Sequence, residues 1–307
     1  MPAKNRGYPV PLQNQILLID GHAAIYRSFH AIRDLTNPRG APVIALYGMA
    51  RFSLKLDQDF PSRFAALVMD KGKCARRIEL LEKYKANRPS MPEELREQIP
   101  MIREWFEAMG WPLLEEEGRE ADDLIALAVR HRDKLPVLIV SHDKDLAQLV
   151  TDNVHLIQSG GKGTWNRIGP EDITEKFGVP PERIGDYLAL VGDSSDNIPG
   201  IEGIGPKTAA ELLRKHGSID NILENLEQIK RQSIRAKLAD SHEILQLNRD
   251  LVRLDNADSD QWPGLQGLQR RKTDWDHLLD IARQQGFKSL ATKLEKGREE
   301  ARCPRLL

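Results

Sequence analysis

Three short apolar runs in the first half of this chain each lead to an aspartate. Ile16-Leu17-Leu18-Ile19 stops at Asp20-Gly21, Ala65 to Met69 stops at Asp70, and Val137 to Val140 runs on to Asp143. Unbroken apolar runs this short, separated by helical patterns, suit parallel strands covered on both faces. Open α/β sheets bind ligands beyond the carboxyl ends of their strands. The pattern therefore predicts an α/β fold with a mostly parallel sheet that presents three acids at one edge.

Six more carboxylates stand beside apolar segments: Glu120, Asp122, Asp123, Asp145, Asp193 and Asp196. Gathered acids repel one another and lose hydration, so their convergence requires a cation. Oxygen ligands without a matching set of His or Cys point to magnesium or manganese. Taken singly, each acid has a plainer reading. Ala121 to Arg132 has apolar residues at helical spacing behind an acidic first turn, and acids suit a helix N-terminus because of the macrodipole. Glu120 and Asp123 are three apart and can share a helix face, whereas Asp122 points elsewhere unless the first turn is irregular. Asp143-Lys144-Asp145 also reads as a surface turn. Arg183 to Val191 predicts a helix running into Gly192-Asp193-Ser194-Ser195-Asp196-Asn197, where a capping turn is the alternative. The joint pattern favours a metal site, since independent caps have no reason to recur where a sheet presents its edge.

Two further segments carry chemistry. In Ile198-Pro199-Gly200-Ile201-Glu202-Gly203-Ile204-Gly205-Pro206-Lys207-Thr208-Ala209, Gly203 and Gly205 permit a tight hairpin. Pro206 suits a first helical turn, and Lys207 sits where free N–H groups would meet a phosphate. The string resembles a helix-hairpin-helix motif, which grips duplex backbone without reading bases. From Lys71 to Arg88, seven basic side chains (Lys71, Lys73, Arg76, Arg77, Lys83, Lys85, Arg88) face only Glu79 and Glu82, and Tyr84 offers a ring for base stacking. Pro89, Pro92 and Pro100 then mark a surface excursion with a helix from Ile99 to Met109. Trp105 and Trp111 are expected in the core around it.

Composition sets outer limits. The 307 residues suit one large domain or two smaller ones, and the net charge of −1 excludes a uniformly basic binder while leaving room for local patches. Cys74 and Cys303 are too few for a disulfide framework, which suggests a cytoplasmic, thiol-reduced protein. Met1 to Gln15 is polar, with three prolines, and reads as neither a signal peptide nor a membrane span. His22, His30 and His142 lie near motifs without forming a ligand set.

The ordered series Leu18-Ile19-Asp20-Gly21, Met69-Asp70, Tyr84-Lys85-Ala86-Asn87-Arg88, Glu120-Ala121-Asp122-Asp123, Asp143-Lys144-Asp145, Gly192-Asp193-Ser194-Ser195-Asp196-Asn197 and Gly203-Ile204-Gly205 resembles the bacterial 5′-nuclease family. That family includes the 5′-3′ exonuclease domain of DNA polymerase I and, more distantly, flap endonucleases. The resemblance covers roughly Ile16 to Arg253. It implies a PIN-like nuclease core over 14–190 with a helical arch near 71–110, a helix-hairpin-helix region over 191–290 and a charged tail over 291–307. It also implies a first-metal group of Asp20, Asp70, Glu120 and Asp122 with Asp123 nearby, and a second-metal group of Asp143, Asp145, Asp193 and Asp196. Arg77 and Lys85 match catalytic arch positions. Lys73, Arg76, Tyr84, Arg88, Gly203, Gly205, Lys207 and Thr208 are the implied DNA contacts, although the family often has an aromatic residue where Arg76 stands. Two Mg2+ ions, replaceable by Mn2+, and a K+ at the hairpin are the implied cofactors. The implied partner is DNA with a 5′ flap, overhang or nick, or an RNA-DNA hybrid, bound by a monomer.

Three other readings fit these residues less well. A junction-binding protein without catalysis would have little reason to keep every acid. A haloacid dehalogenase-like phosphatase needs a second Asp where His22 stands. A PIN-type RNA nuclease would not need the duplex-gripping hairpin.

Overall fold

The computed structural model describes residues 14–31, 34–254 and 261–302. The polar stretch through residue 13 and the last five residues, with Cys303, lie outside them.

A six-stranded sheet forms the centre, with strands β1 (Ile16–Asp20), β2 (Phe64–Val68), β3 (Leu113–Leu114), β4 (Val137–Val140), β5 (Val154–Ser159) and β6 (Trp165–Ile168) in the order β3-β2-β1-β4-β5-β6. All pairs are parallel except β5 with β6. Every residue of β1, β2 and β4 is buried, which is why those segments read as continuous apolar runs rather than as alternating ones. The chain builds outward from β1 to β2 and β3, then returns to place β4 on the other side of β1. The strand order reverses there, leaving a crevice between the carboxyl ends of β1 and β4. Asp20 closes β1, and Asp143 follows β4.

Side chains alternate along β1 and divide the core in two. Ile16 and Leu18 face a cluster that contains Leu124 and Leu127 together with Leu188, Leu213 and Leu251 from the later helices. Leu17 and Ile19 face the other side, against Leu46, Met49, Trp105, Phe106 and Trp111. Both tryptophans expected in the core are fully buried.

The expected domain limits differ from the architecture in three places. Helix Ile99–Ala108 lies inside the proposed arch range, yet it buries Ile102, Trp105 and Phe106 in the sheet's second face, so the excursion is shorter than 71–110. Helices Ile184–Val191, Pro206–His216 and His242–Val252 pack with the first face, while Trp275–Gln284 crosses to the second. The stretch read as a charged tail is helical through Lys288–Arg302 and buries Leu290 and Leu294 against Trp275–Gln284. Its charges occupy the outer face of an amphipathic helix, and the apolar residues between them were too sparse to stand out.

One buried polar side chain ties the later helices to the site. Asn248 is fully buried, and its Nδ2 donates to the carbonyls of Ala189 (2.9 Å) and Pro199 (2.6 Å). These carbonyls bracket the turn that carries Asp193 and Asp196. Replacing Asn248 by Ala leaves both without this donor, and we expect a loss of about 1–3 kcal/mol of unfolding free energy in urea denaturation.

Candidate metal centre

The acids reach the sheet edge from five elements. Asp20 caps β1, where Ser141 Oγ donates to its Oδ2 (2.7 Å) and the Ala23 N–H to its Oδ1 (3.4 Å). Asp70 follows β2 and accepts the Ala121 N–H at Oδ1 (2.6 Å), with His22 Nδ1 3.3 Å from Oδ2. Asp143 and Asp145 lie in the turn after β4. There Ser141 Oγ accepts the Asp143 N–H and Asp143 Oδ1 accepts the Asp145 N–H, each at 2.9 Å. The surface-turn reading and convergence on the site thus hold together, because the turn itself aims the side chains.

Asp193 and Asp196 sit on a loop pinched by reciprocal backbone bonds between Asp193 and Ile198 (2.9 and 2.8 Å). Gly192 enters this loop at φ +77, where a Cβ would lie 2.3 Å from Gly200 N. Glycine is required there both for the backbone angle and for the space.

Asp145, Asp193 and Asp196 each bring a carboxylate oxygen within 4.8 Å of the others. Asp145 Oδ1 is buried without a hydrogen-bond partner. An orphaned carboxylate oxygen among two other acids is the donor set that a hard divalent cation satisfies. Burial, and then the charges of Asp143, Asp193 and Asp196, push the Asp145 carboxyl up to about 8. Asp20 is raised to about 6, chiefly by burial and then by Asp143 and Asp70, against the Ser141 hydrogen bond. Asp122 is raised well above the carboxylate range by burial and by Asp143, Asp20 and Asp145. Asp70 and Asp193 move the other way. Burial opposes the change, but His22 and the Ala121 N–H for one, and Ser195 and Lys144 for the other, favour the ionised form.

Helix Ala121–Arg130 resolves the spacing question in an unexpected sense. Glu120 and Asp123 do share a face, but it grips Arg77 rather than turning toward the other acids. Arg77 Nη1 donates to Glu120 Oε2 (2.7 Å) and Asp123 Oδ2 (2.8 Å), Nη2 donates to Asp123 Oδ1 (2.7 Å), and Nε donates to the Leu251 carbonyl (2.9 Å). Asp122 is the acid of this group that feels Asp143, Asp20 and Asp145. Asp123, expected near the metals, is committed at both oxygens to Arg77. Arg77, expected to face a phosphate, is only 2 % exposed, and the buried carboxylates hold its guanidinium charged.

The basic segment is strapped onto the acids. Lys85 Nζ donates to Glu120 Oε1 (2.7 Å), Arg88 pairs with Asp196, and Lys144 Nζ lies 3.0 Å from Asp193 Oδ1. Backbone bonds fasten the strap: Lys85 N–H donates to the Asp196 carbonyl (3.0 Å), and Asn87 Nδ2 to that of Ser194 (2.7 Å). The Tyr84 ring, expected to stack on a base, is buried, and its hydroxyl donates to Glu120 (3.0 Å) and Asp196 (3.2 Å). Arg76 is exposed and donates to the Asp250 carbonyl (3.2 Å), and Lys73 is exposed. Sequence spacing gave no signal for Ser141, His22 or Lys144 as supports of the acids, since their partners are distant in sequence or brought close only by a turn.

The hairpin follows directly on the loop that carries Asp193 and Asp196. Gly203 takes φ +82, Gly205 is extended, and Pro206 begins helix Pro206–His216 with Lys207 exposed and Thr208 half-buried. Ile201 and Ile204 anchor the loop in the first core cluster.

This combination, an acid-lined crevice at a parallel sheet's switch point with a helical extension and a glycine-dependent hairpin, is the frame of a nuclease. The family model described as 5′-3′ exonuclease, N-terminal resolvase-like domain matches residues 15–178, and the 5′-3′ exonuclease, C-terminal SAM fold matches 179–276. The chain belongs to the 5′-3′ exonuclease family and is a nuclease. It is 40% identical over 283 residues to a 5′-3′ exonuclease of Aquifex aeolicus, covering 92% of this chain and 95% of that one. A thermostable DNA polymerase I of Thermus filiformis is 38% identical over 94% of this chain, which spans only 35% of that protein's length. Among solved structures, T5 5′-exonuclease with bound zinc superposes with a TM-score of 0.66 at 25% identity, covering 93% of this chain and 98% of that one. The catalytic core of Rad2 with a DNA substrate gives 0.62 at 17% identity, covering 92% and 93%, a likeness of fold.

Two measurements test the electrostatics. Arg77→Met leaves buried carboxylates unpaired and should cost about 3–5 kcal/mol in urea denaturation, with part recovered by adding Asp123→Leu. The raised carboxyls of Asp20 and Asp145 keep protons in the folded state that the unfolded chain has released. They therefore lower the stability of metal-free protein as pH rises from about 4 to about 8. Magnesium should accordingly raise the melting temperature more near pH 8 than near pH 5 in a thermal-shift assay.

Proposed function

We propose that this nuclease uses divalent metal ions to hydrolyse DNA phosphodiesters near 5′ ends and junctions, acting as a 5′-3′ exonuclease and 5′-flap endonuclease. The observation that carries this reading is the cluster of Asp145, Asp193 and Asp196 with its orphaned oxygen, beside the mutually repelling Asp20, Asp122 and Asp143. Magnesium is the ion of choice for an all-oxygen site, with manganese as a substitute. Asp145, Asp193 and Asp196 would hold one ion with Asp143 adjacent. Asp20, Asp70 and Asp122 would hold a second, with Glu120 joining once Lys85 releases it. Bound there, two such ions supply an activated water and charge neutralisation at the scissile phosphate.

The chain's own residues provide positioning. Ser141 and the Ala23 N–H orient Asp20, His22 and the Ala121 N–H orient Asp70, and Lys144 with Ser195 orients Asp193. Lys85 and Arg88 are the cations that a substrate phosphate would take over from Glu120 and Asp196. Arg77 and Tyr84 hold Glu120 from behind. The Gly203–Gly205 hairpin, with Lys207 and Thr208, would grip duplex backbone, and its carbonyls offer a place for K+. Lys73 and Arg76 extend the same phosphate track along the exposed base of the strap. Contacts to backbone alone make cleavage depend on a junction more than on sequence. A 5′ flap, overhang or nick, including an RNA-DNA hybrid, is thus the substrate class, and one copy of the chain suffices to bind it. Within the described residues no helix is long and apolar enough to cross a membrane, and cytoplasmic action on DNA in replication and repair completes the proposal.

Cleavage of a 5′-labelled flap duplex with magnesium, manganese or chelator tests it. The expected result is metal-dependent cutting near the junction, with Asp145→Asn reducing turnover roughly 100-fold or more while anisotropy still reports duplex binding. Unchanged turnover in Asp145→Asn would remove the three-acid cluster from the chemistry.

A further inference from the structure

A cavity of about 500 Å³ opens at the carboxyl edge of the sheet, on the opposite side of Asp20 from the strap. Helix Gly21–Ala31, helix Ile44–Asp59 and the ends of β4 and β5 enclose it. Its volume lies in the range of small-molecule sites, and the carboxyl edge of an open sheet is where such sites form. Ala24, Phe52, Val140 and Ile157 make an apolar floor, and Ser28, Ser141 and Ser159 line it with hydroxyls already bonded to Met49, Asp20 and His142.

The cations at this cavity are not all neutralised. Lys55 is paired with Asp59 at 2.6 Å. Arg27 reaches only the Ser159 carbonyl at 3.5 Å, and Arg51 lies 5.7 Å from the Tyr47 ring; neither has a carboxylate partner among the described residues. Two unpaired guanidinium groups favour an anion. An apolar floor edged by Phe52 favours a flat, weakly polar group beside it. Inorganic phosphate would leave the floor unused, and a purely apolar ligand would leave the arginines unused.

We propose that this cavity binds a nucleoside monophosphate, with its phosphate against Arg27 and Arg51 and its base on the floor formed by Ala24, Phe52, Val140 and Ile157. The choice of ligand rests on the nuclease reading, because exonucleolytic hydrolysis releases this chemical class beside the cavity. The site also touches the supports of Asp20. Ser141, which lines the wall, donates to Asp20 Oδ2, and Ala23 on the same wall donates to Oδ1. An occupant therefore presses on the two groups that orient a carboxylate of the metal centre, and should slow cleavage when it accumulates.

Isothermal titration of the full chain with deoxyadenosine monophosphate in the presence of chelator isolates this site from the metal centre. Inorganic phosphate and deoxyadenosine serve as fragments, and Arg27→Gln/Arg51→Gln as the variant. The monophosphate should bind more tightly than either fragment, and the variant should weaken it by about tenfold or more at an unchanged melting temperature. Absence of binding, equal binding of phosphate alone, or undiminished binding by the folded variant would overturn the proposal. Flap cleavage measured in parallel separates the two readings: binding without cleavage removes the proposed flap-cleaving activity and keeps the site, whereas cleavage without binding does the reverse.

Discussion

Crowding of like charge at one edge of the sheet is the constraint on which the rest of this protein depends. The crevice between β1 and β4 collects Asp20, Asp122, Asp143 and Asp145, and the later loop brings Asp193 and Asp196 beside them. Repulsion and burial act in the same direction, raising Asp20, Asp122 and Asp145. Such a cluster persists only where hydrogen-bond donors or cations compensate. Ser141, Lys85, Arg88 and Lys144 provide that compensation.

Arg77 connects three parts of the chain through one guanidinium group. It spans the base of the basic strap, the first turn of helix Ala121–Arg130 and the last turn of helix His242–Val252. Arginine suits this position because its planar fork satisfies carboxylates and a carbonyl together and does not lose its charge on burial. The loop that carries Asp193 and Asp196 is linked to helix His242–Val252 by Asn248. The helical region and the acids of the sheet are thereby positioned by the same few buried polar groups.

Much of the fold was legible in the sequence. The runs ending at Asp20 and Asp70 read as buried strands because both faces of β1 and β2 are covered, leaving no polar residue to interrupt them. Helices Ala121–Arg130 and Ile184–Val191 were legible from apolar spacing within two residues at each end. The last helix was not, because Leu290 and Leu294 give a four-residue hint within a highly charged segment. At the site, residue types were readable but orientations were not. Glu120, Asp122 and Asp123 are adjacent in sequence, yet Asp122 feels the aspartates of the sheet edge while its neighbours grip Arg77.

Local sequence alone determined the strands, the acids at their ends, the glycine-dependent loops and the basic composition of 71–88, because backbone preference and burial pattern act over a few residues. Tertiary structure decided which acids converge, that Arg77 and Tyr84 are buried, and that Lys85 and Arg88 lie across carboxylates. The bonds that hold Arg77, Tyr84, Lys85 and Arg88 to these acids and to Leu251 join residues 35 to 174 positions apart. Such pairings follow from how the sheet and helices pack, and neither residue type nor spacing encodes the direction in which a charged side chain will find its partner.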